Sequence, residues 1–517
     1  MPLGWAGDFT GSLFKIPMHM TADKRSSLIA RLQALFADRM LIILLALALG
    51  LRFAAIVAFP SLHHPDENFQ LFEQAHRIAF GYGVVPWEFR EGIRSPVPPY
   101  LLAGLFWVAE RLVGGPEGYL IVARTALALL SLIAVAAVYR MGQRTGPTHA
   151  LMAGLVTATW FELVYFAPRP LTEAVATTFL LIALSLATIE SARLTFRRLM
   201  AIGFCIALAL MLRIHLAPGL LVAAIFVGRL ELRGRWSPMA LGGALPLAVF
   251  GAADWLYWGA PFSSYVAALR VDLFDGKASM YGVESPVFFL EQLVEVWAGA
   301  LPLLLGLIAW RARASAPWVA VAVAIIAVHS AIPHKEYRFV VPALACLMVV
   351  AALGSADLIE RLRKLAPAAS HALIAGGAAL WLGTSAALAF APGYRDNWFN
   401  SSDLIEASFS LAHDPDLCGL LFYNDDWATT GGYAHLHRNV PIYALADDQD
   451  TARDSTEAFN AIILSRASLD DFAGDFTLVD CWGADDDDDA VCIMKRKGDC
   501  TSMADLEVNE MLRRNGE

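Results

Sequence analysis

Residues 39–80 read RMLIILLALALGLRFAAIVAFPSLHHPDENFQLFEQAHRIAF. The apolar run beginning near residue 40 is long enough to cross a bilayer, and two adjacent carboxylates, Asp66 and Glu67, follow it. Pro65 suits the first position of a helix, and an acid in the first turn is favoured by the exposed amides. Phe69, Phe72, His76 and Phe80 then recur at helical spacing until Gly81 and Gly83 end the element. This predicts a span followed by a helix lying flat on the membrane, apolar side down, with a pair of ionisable groups at its start. On spacing alone, Asp66 is equally readable as a helix cap and Glu67 as its solvated neighbour.

Further apolar stretches of near-bilayer length begin at about residues 117, 148, 171, 198, 214, 238, 288, 315, 338 and 369, which makes about eleven spans. Pro99–Val113 is interrupted by Glu110 and Arg111 and is too short to cross, so it reads as a second interfacial helix. With 57% hydrophobic and 17% charged residues among 517, and a mean hydropathy of +0.52, the chain is a polytopic α-helical membrane protein and not a cytosolic enzyme. A formal charge of -10 without a basic stripe also excludes a nucleic-acid partner.

Lys and Arg in short loops mark the cytoplasmic side. By alternation of spans, Lys24, Arg25, Arg31 and Arg39, Arg140 and Arg144, Arg193–Arg198, Arg229–Arg235, Arg311 and Arg313, and Arg361–Lys364 share one face. The reading is a cytoplasmic N-terminal segment, 1–39, without a signal-peptide shape, and a membrane body, 40–391, with external loops at 60–116 and 259–287. Residues 392–517 hold 26 acidic and 9 basic residues, with strand-like runs at Cys418–Tyr423 and Phe459–Leu464, which predicts a soluble external α/β domain. Its cysteines, Cys418, Cys481, Cys492 and Cys500, are readable as two disulfides or as packed free thiols. The Asp485–Asp489 run reads as a solvated loop, since it lacks the spaced ligands of a calcium site.

The remaining unusual residues gather on the external face. His334-Lys335-Glu336-Tyr337-Arg338 lies at the mouth between two spans, Arg169 and Glu173 at a second turn, Arg213 and His215 at a third, and Arg94 follows the flat helix. The last three are each readable alone as a helix-end anchor, whereas snorkelling accounts for one cation at 334–338 but not for all its ionisable groups, which favours function there. Together they place several cations around one external pocket, as needed to hold a phosphate at the water–lipid boundary.

These segments also carry a family resemblance. HPDE at His64, QLFEQAHRIAFGYG from Gln70, PWEFREGIRSPVPP from Pro86, RPLTE from Arg169, DWLYWGAPFSSY from Asp254 with YG at Tyr281, and HKEYRF from His334 resemble glycosyltransferase family 22 of the GT-C superfamily. Its members are the lipid-phosphate-mannose-dependent mannosyltransferases of N-glycan-precursor and GPI-anchor assembly. The order of motifs in the first loop is most similar to that of the GPI third-mannose enzymes. The resemblance runs from Arg39 to about Ala356 and fades in the tail, where GGYAHLHRNVP matches loosely and His435 and His437 read as surface histidines. The Ala-rich, Arg-rich composition looks bacterial.

What the resemblance implies is a GT-C-like fold and an inverting transfer. Mannose or a related hexose would move from a polyprenyl-phosphate donor to a hydroxyl of a glycolipid or lipid-linked glycan, on the periplasmic face of a bacterial inner membrane. Asp66 is then the base that accepts the hydroxyl proton, already ionised at neutral pH since an ordinary Asp titrates near ~3.9. Glu67 is the second choice, or a ligand of acceptor hydroxyls. Lys335, Arg338, Arg213 and Arg94 are the candidates to neutralise the leaving phosphate; His64, Arg169, Glu173, His215, His334 and Glu336 complete the substrate-binding set. No cofactor or metal is expected, the lipid-phosphate sugar being a co-substrate. Hydrolysis is disfavoured because adjacent Asp66 and Glu67 diverge around a helix instead of facing each other across a bond. A transporter or flippase of lipid-linked sugars would show two related halves, which this chain lacks. A ligase or polymerase moving a whole glycan differs only in the size of the donor.

Overall fold

The computed structural model describes residues 38–188, 194–424, 431–446, 448–484 and 487–515. The N-terminal segment before residue 38, Arg193, and Asp485 and Asp486 of the acidic run lie outside the described residues. The chain divides into a short unit, Met1–Ile43, described only where it begins the first helix, and a large unit, Leu44–Glu517.

All eleven apolar stretches fold as helices. Among the described residues, six are long and apolar enough to cross a membrane: Arg39–Ala58, Gly115–Gly142, Leu232–Trp258, Phe288–Arg311, Tyr337–Leu365 and Pro367–Ala389. Thr172–Ala187, Ile214–Gly228 and Ala316–Ala331 are shorter apolar helices, and the stretch near residue 198 is Phe196–Leu212. The stretch near residue 148 is broken: Pro147–Thr159 and Phe161–Phe166 meet at Trp160, whose backbone is extended (φ -61°, ψ 127°). Several helices start on proline, Pro147, Pro218, Pro238, Pro302, Pro317 and Pro342 among them, where the missing N–H removes no intrahelical bond. Phe196–Leu212 and Ser237–Trp258 pack backbone to backbone, because a Cβ on Gly203 would collide with the Met239 carbonyl and one on Gly242 with that of Met200.

The first external loop corrects one expectation. Its helix starts where predicted, but Glu67–Phe72 is wound as a π-helix before Glu73–Phe80 continues as α-helix. Such single wide turns recur at functional sites. Nor does its apolar side face lipid. Leu71, Phe72 and Ala75 are buried against Leu102, Ala103 and Phe106 of the Val97–Leu112 helix, against Tyr119, and against Ile405 and Ala434 of the C-terminal domain. Period-3.6 patterning shows that one face is apolar but not what covers it. Val97–Leu112 is the element that turns an apolar face outward, with Leu101, Trp107, Val108 and Leu112 exposed.

The C-terminal domain is a five-stranded mixed sheet of order β2-β1-β3-β5-β4, with β1 Leu420–Tyr423, β2 Ile442–Leu445, β3 Ala461–Ser465, β4 Thr477–Trp482 and β5 Val491–Lys495. β1 pairs parallel with β2 and β3, and β5 antiparallel with β3 and β4. Leu420 and Phe422 face one core and Leu421 and Tyr423 the other, so β1 is buried on both sides, which is why it reads as an unbroken apolar run. Disulfides join Cys418 to Cys500 and Cys481 to Cys492.

The domain is fastened to the first external loop. Glu73, fully buried, accepts the amides of Val84 (2.6 Å), Tyr433 (3.0 Å) and Ala434 (2.8 Å). Burial pushes its carboxyl up to about 7 despite those bonds. Gly432 sits at φ +128°, and a Cβ there would press on the Glu73 carboxylate, so the approach needs glycine on both counts. A second fastening is Asn509, which accepts the Val85 amide (2.9 Å) and donates to the Gly83 carbonyl (3.2 Å).

Candidate active site

The HKEYRF segment leaves the Ala316–Ala331 helix and enters Val341–Leu365, and its Arg338 is the hub of the external face. Only 2% exposed, the guanidinium donates to three carboxylates from three parts of the chain. Nη2 meets Asp66 Oδ2 at 2.6 Å, Nη1 meets Glu173 Oε1 at 2.8 Å, and Nε meets Glu336 Oε2 at 2.6 Å. Phe339 lies beneath, its ring 5.1 Å from the Arg338 guanidinium carbon and 4.9 Å from that of Arg213. His64 closes the ring, 3.4 Å from Asp66 Oδ1 and 3.2 Å from Glu336 Oε2.

Asp66 is half-buried, its side chain 18% exposed, much as Glu336 is at 17%, while His64 is more open at 33%. Burial alone would raise its pKa, but Arg338, with His64 and Arg94 behind, holds the carboxyl well below the usual carboxylate range. Oδ2 is committed to Arg338; Oδ1 has only the long contact to His64. Glu336 is likewise held below its usual range against burial, by Arg338, His334 and His64. The arrangement presents an ionised, oriented carboxylate oxygen that remains charged in acid.

A second layer supports the first. Glu67 is fully buried: Arg169 Nη1 reaches both its oxygens (3.0 and 3.3 Å) and the His63 amide donates to Oε1 at 2.7 Å. Arg124 lies 4.0 Å away. Arg169 also donates to Ser61 and rests on the Tyr165 ring, 3.8 Å from its centroid. His334 and Lys335 tie down the 259–287 loop: the ammonium donates to the carbonyls of Glu284 (2.8 Å) and Pro333 (3.3 Å), and His334 bridges Glu336 (2.9 Å) and the Gly282 carbonyl (3.3 Å).

Beside the cluster opens a solvent-connected cleft of about 60 Å³, with Gln70 and Leu71 one turn along from Asp66 on its wall and Thr172, Arg94, Arg213 and His215 around it. The far side is apolar, formed by Phe89, Ile93, Met211, Leu212 and Tyr265. Nε of Arg94, Nε of Arg213 and Nδ1 of His215 are buried there without a hydrogen-bond partner among the described residues. The nearest carboxylates are distant, Glu88 at 4.0 Å from Arg94 and Glu173 at 3.9 Å from Arg213, whereas His215 contacts Asp272 of the external loop at 3.2 Å. Two guanidinium groups with donors to spare, against an apolar wall, suit a phosphate that carries a hydrocarbon chain.

Set against the sequence reading, the structure brings Asp66, His64, Glu173, Glu336 and Arg338 into one cluster and Arg94, Arg213 and His215 into the adjoining cleft. It corrects four assignments. Arg338 is enclosed by three carboxylates, so its charge is already matched and it is not placed to neutralise a phosphate. Lys335 is turned onto loop carbonyls. Glu67 and Arg169 satisfy each other in the interior and present nothing to a substrate. His435 is a buried ring between Phe72 and Phe409, and His437 bonds His76 at 3.0 Å, so neither is a simple surface group. Sequence reasoning missed Glu88, buried and bonded to Gln70 (3.0 Å), which stands in the quoted PWEFREG stretch without an assigned role. It also missed Glu162, whose signal was an acid inside an apolar span.

The profile of the Alg9-like mannosyltransferase family matches residues 41–395. The chain is 28% identical over 430 residues to a protein of Yarrowia lipolytica named GPI mannosyltransferase 3, covering 79% of each chain. It is 37% identical over 147 residues to the GPI mannosyltransferase 3 of Drosophila melanogaster, covering 28% of this chain and 25% of that one. The crystal structure of ArnT from Cupriavidus metallidurans bound to undecaprenyl phosphate superposes with a TM-score of 0.58 at 14% identity, over 88% of this chain and 97% of that one, a likeness of fold. The chain belongs to the Alg9-like mannosyltransferase family, and is an integral-membrane glycosyltransferase with the GT-C fold.

Proposed function

We propose that this protein transfers mannose from a polyprenyl-phosphate donor to a hydroxyl of a glycolipid or lipid-linked glycan, at the periplasmic face of a bacterial inner membrane with its N-terminus cytoplasmic. The observation that carries the reading is the adjacency of Asp66, ionised and with Oδ1 in a long 3.4 Å contact with His64, to a cleft where Arg94 and Arg213 each hold a buried Nε without a partner among the described residues. The donor phosphate lies against those two guanidinium groups and the prenyl chain along the apolar wall. The acceptor oxygen bonds to the anomeric carbon as its proton passes to Asp66 Oδ1, and the carbon–oxygen bond to phosphate breaks with its electron pair left on the phosphate. A single displacement inverts the centre, so a β-linked donor gives an α-linked product. The leaving group departs as a stable anion whose charge the two arginines take up, and the reaction proceeds without a metal or cofactor. The names of the relatives, and the undecaprenyl phosphate bound by the structural neighbour, support this choice of donor and acceptor class.

Arg94→Ala and Arg213→Ala test the phosphate site. A charge-assisted hydrogen bond contributes about 1.5–3 kcal/mol, so each variant is expected to raise KM for the lipid donor by roughly tenfold to a hundredfold, leaving KM for the acceptor unchanged. Steady-state kinetics with the two substrates varied independently read this directly. Unchanged donor KM in both variants removes the cleft from donor binding.

A further inference from the structure

Glu162 occupies the short Phe161–Phe166 helix just past the break at Trp160, and it is buried. Its three partners are neutral donors from three segments: the Trp160 indole to Oε2 (2.8 Å), the Trp297 indole to Oε1 (3.2 Å), and the Tyr337 hydroxyl to Oε1. The break beneath it is itself held. Arg52 donates to the carbonyls of Thr157 (3.2 Å) and Ala158 (2.9 Å), and the Ser385 hydroxyl donates to that of Thr159 (2.8 Å). These are the carbonyls that an ended helix leaves without partners. Glu162 is therefore presented from a fixed point, and what it grips is the residue next to Arg338. Glu336 is in extended backbone (φ -136°, ψ 144°), so the chain enters the segment with Glu336 and Arg338 turned to the site and Tyr337 turned away, onto Glu162.

We propose that Glu162 is a positioning residue for sugar transfer, fixing Arg338 through Tyr337 and thereby the orientation of Asp66; this rests on the reading of Asp66 as the base. The carboxyl group is suited to this place because its two oxygens accept from both indoles while meeting the Tyr337 hydroxyl. Glu162→Gln keeps the size but sets an amide N–H against a donor, and Tyr337→Phe removes the link alone. Asp66 faces Arg338 and His64 closely, with Arg94, Glu88, Glu173 and Glu336 around them.

The test uses the purified full chain in lipid nanodiscs, with Glu162→Gln, Tyr337→Phe, the double variant and a Cys346→Ala packing control. Each single variant is expected to lower kcat by about tenfold to a hundredfold, the cost of misplacing a reacting group, with donor KM changed less than about threefold. The double variant is expected to match the more severe single one, since both cut the same link. The acid limb of kcat is expected to move to higher pH in all three, as Asp66 loses part of its pairing with Arg338, while Cys346→Ala keeps the wild-type pH profile. Wild-type kcat in either single variant overturns the proposal. So do additive losses with an unshifted profile, which mark support of the fold alone. If Glu162→Gln does not fold, Tyr337→Phe decides by the same criteria. An active Asp66→Asn protein in the same preparation fails the underlying reading instead, whatever Glu162 does.

Discussion

Arg338→Gln is expected to lose nearly all transfer activity and a large part of the stability, with the stability loss growing as pH rises. In the native protein one guanidinium is shared by Asp66, Glu173 and Glu336; it is buried with Glu173, and Asp66 and Glu336 are half-buried. Removing one partner of a buried charge pair costs about 3–5 kcal/mol because the other is left uncompensated, and here three are left. The pH dependence has a definite sign. In wild type, Arg338 holds Asp66 and Glu336 below their usual range against the opposing effect of burial, so they contribute stability that is present above the unfolded carboxylate range and lost as pH falls through their folded values. In the variant, burial and mutual repulsion raise both, the folded state holds more protons than the unfolded one, and stability falls as pH rises. Thermal unfolding in nanodiscs from acid to neutral pH measures both slopes, and parallel curves for the two proteins contradict this account of the cluster.

Asp66→Asn is the second large effect, and its character differs. Asparagine keeps the shape and can still accept the Arg338 hydrogen bond through its amide oxygen, so insertion and folding are expected to survive. What it removes is the proton acceptor, worth about 10²–10⁴-fold in rate for general acid–base catalysis, with donor KM near wild type. The wild-type rate is expected to be flat with pH through the neutral and mildly acidic range, because the carboxyl stays ionised well below its usual range. A strongly depressed carboxylate is a weak base. It is suited to a displacement in which the hydroxyl becomes acidic only as its oxygen bonds to carbon, and the accepting oxygen then needs placement more than intrinsic strength. An Asn variant that keeps activity within a few-fold of wild type removes Asp66 from the chemistry.

Much of this was readable from residues in order. The bilayer requires long apolar runs with internally satisfied backbones, and those runs are visible without knowing how they pack. The HPDE and HKEYRF segments were visible as ionisable groups where a membrane protein should have few. What the residues did not reveal was pairing. Asp66, Glu173 and Arg338 are separated by more than a hundred positions each, and a count of cations cannot tell Arg338, whose charge is enclosed, from Arg94 and Arg213, whose donors are open to the cleft. Glu67 stands next to Asp66 in sequence yet points into the interior at Arg169, as neighbours on a helix must diverge. The cover over the Glu67–Phe80 element was hidden for a similar reason, since protein and lipid ask for the same apolar stripe.

The most direct test is transfer of label from polyprenyl-phosphate [³H]mannose to a glycolipid extract by the purified protein in proteoliposomes, with Asp66→Asn alongside. The account predicts an α-linked labelled lipid product formed by wild type in step with release of polyprenyl phosphate, and neither with Asp66→Asn. Label that crosses the bilayer with the donor intact, or equal product from both proteins, contradicts it.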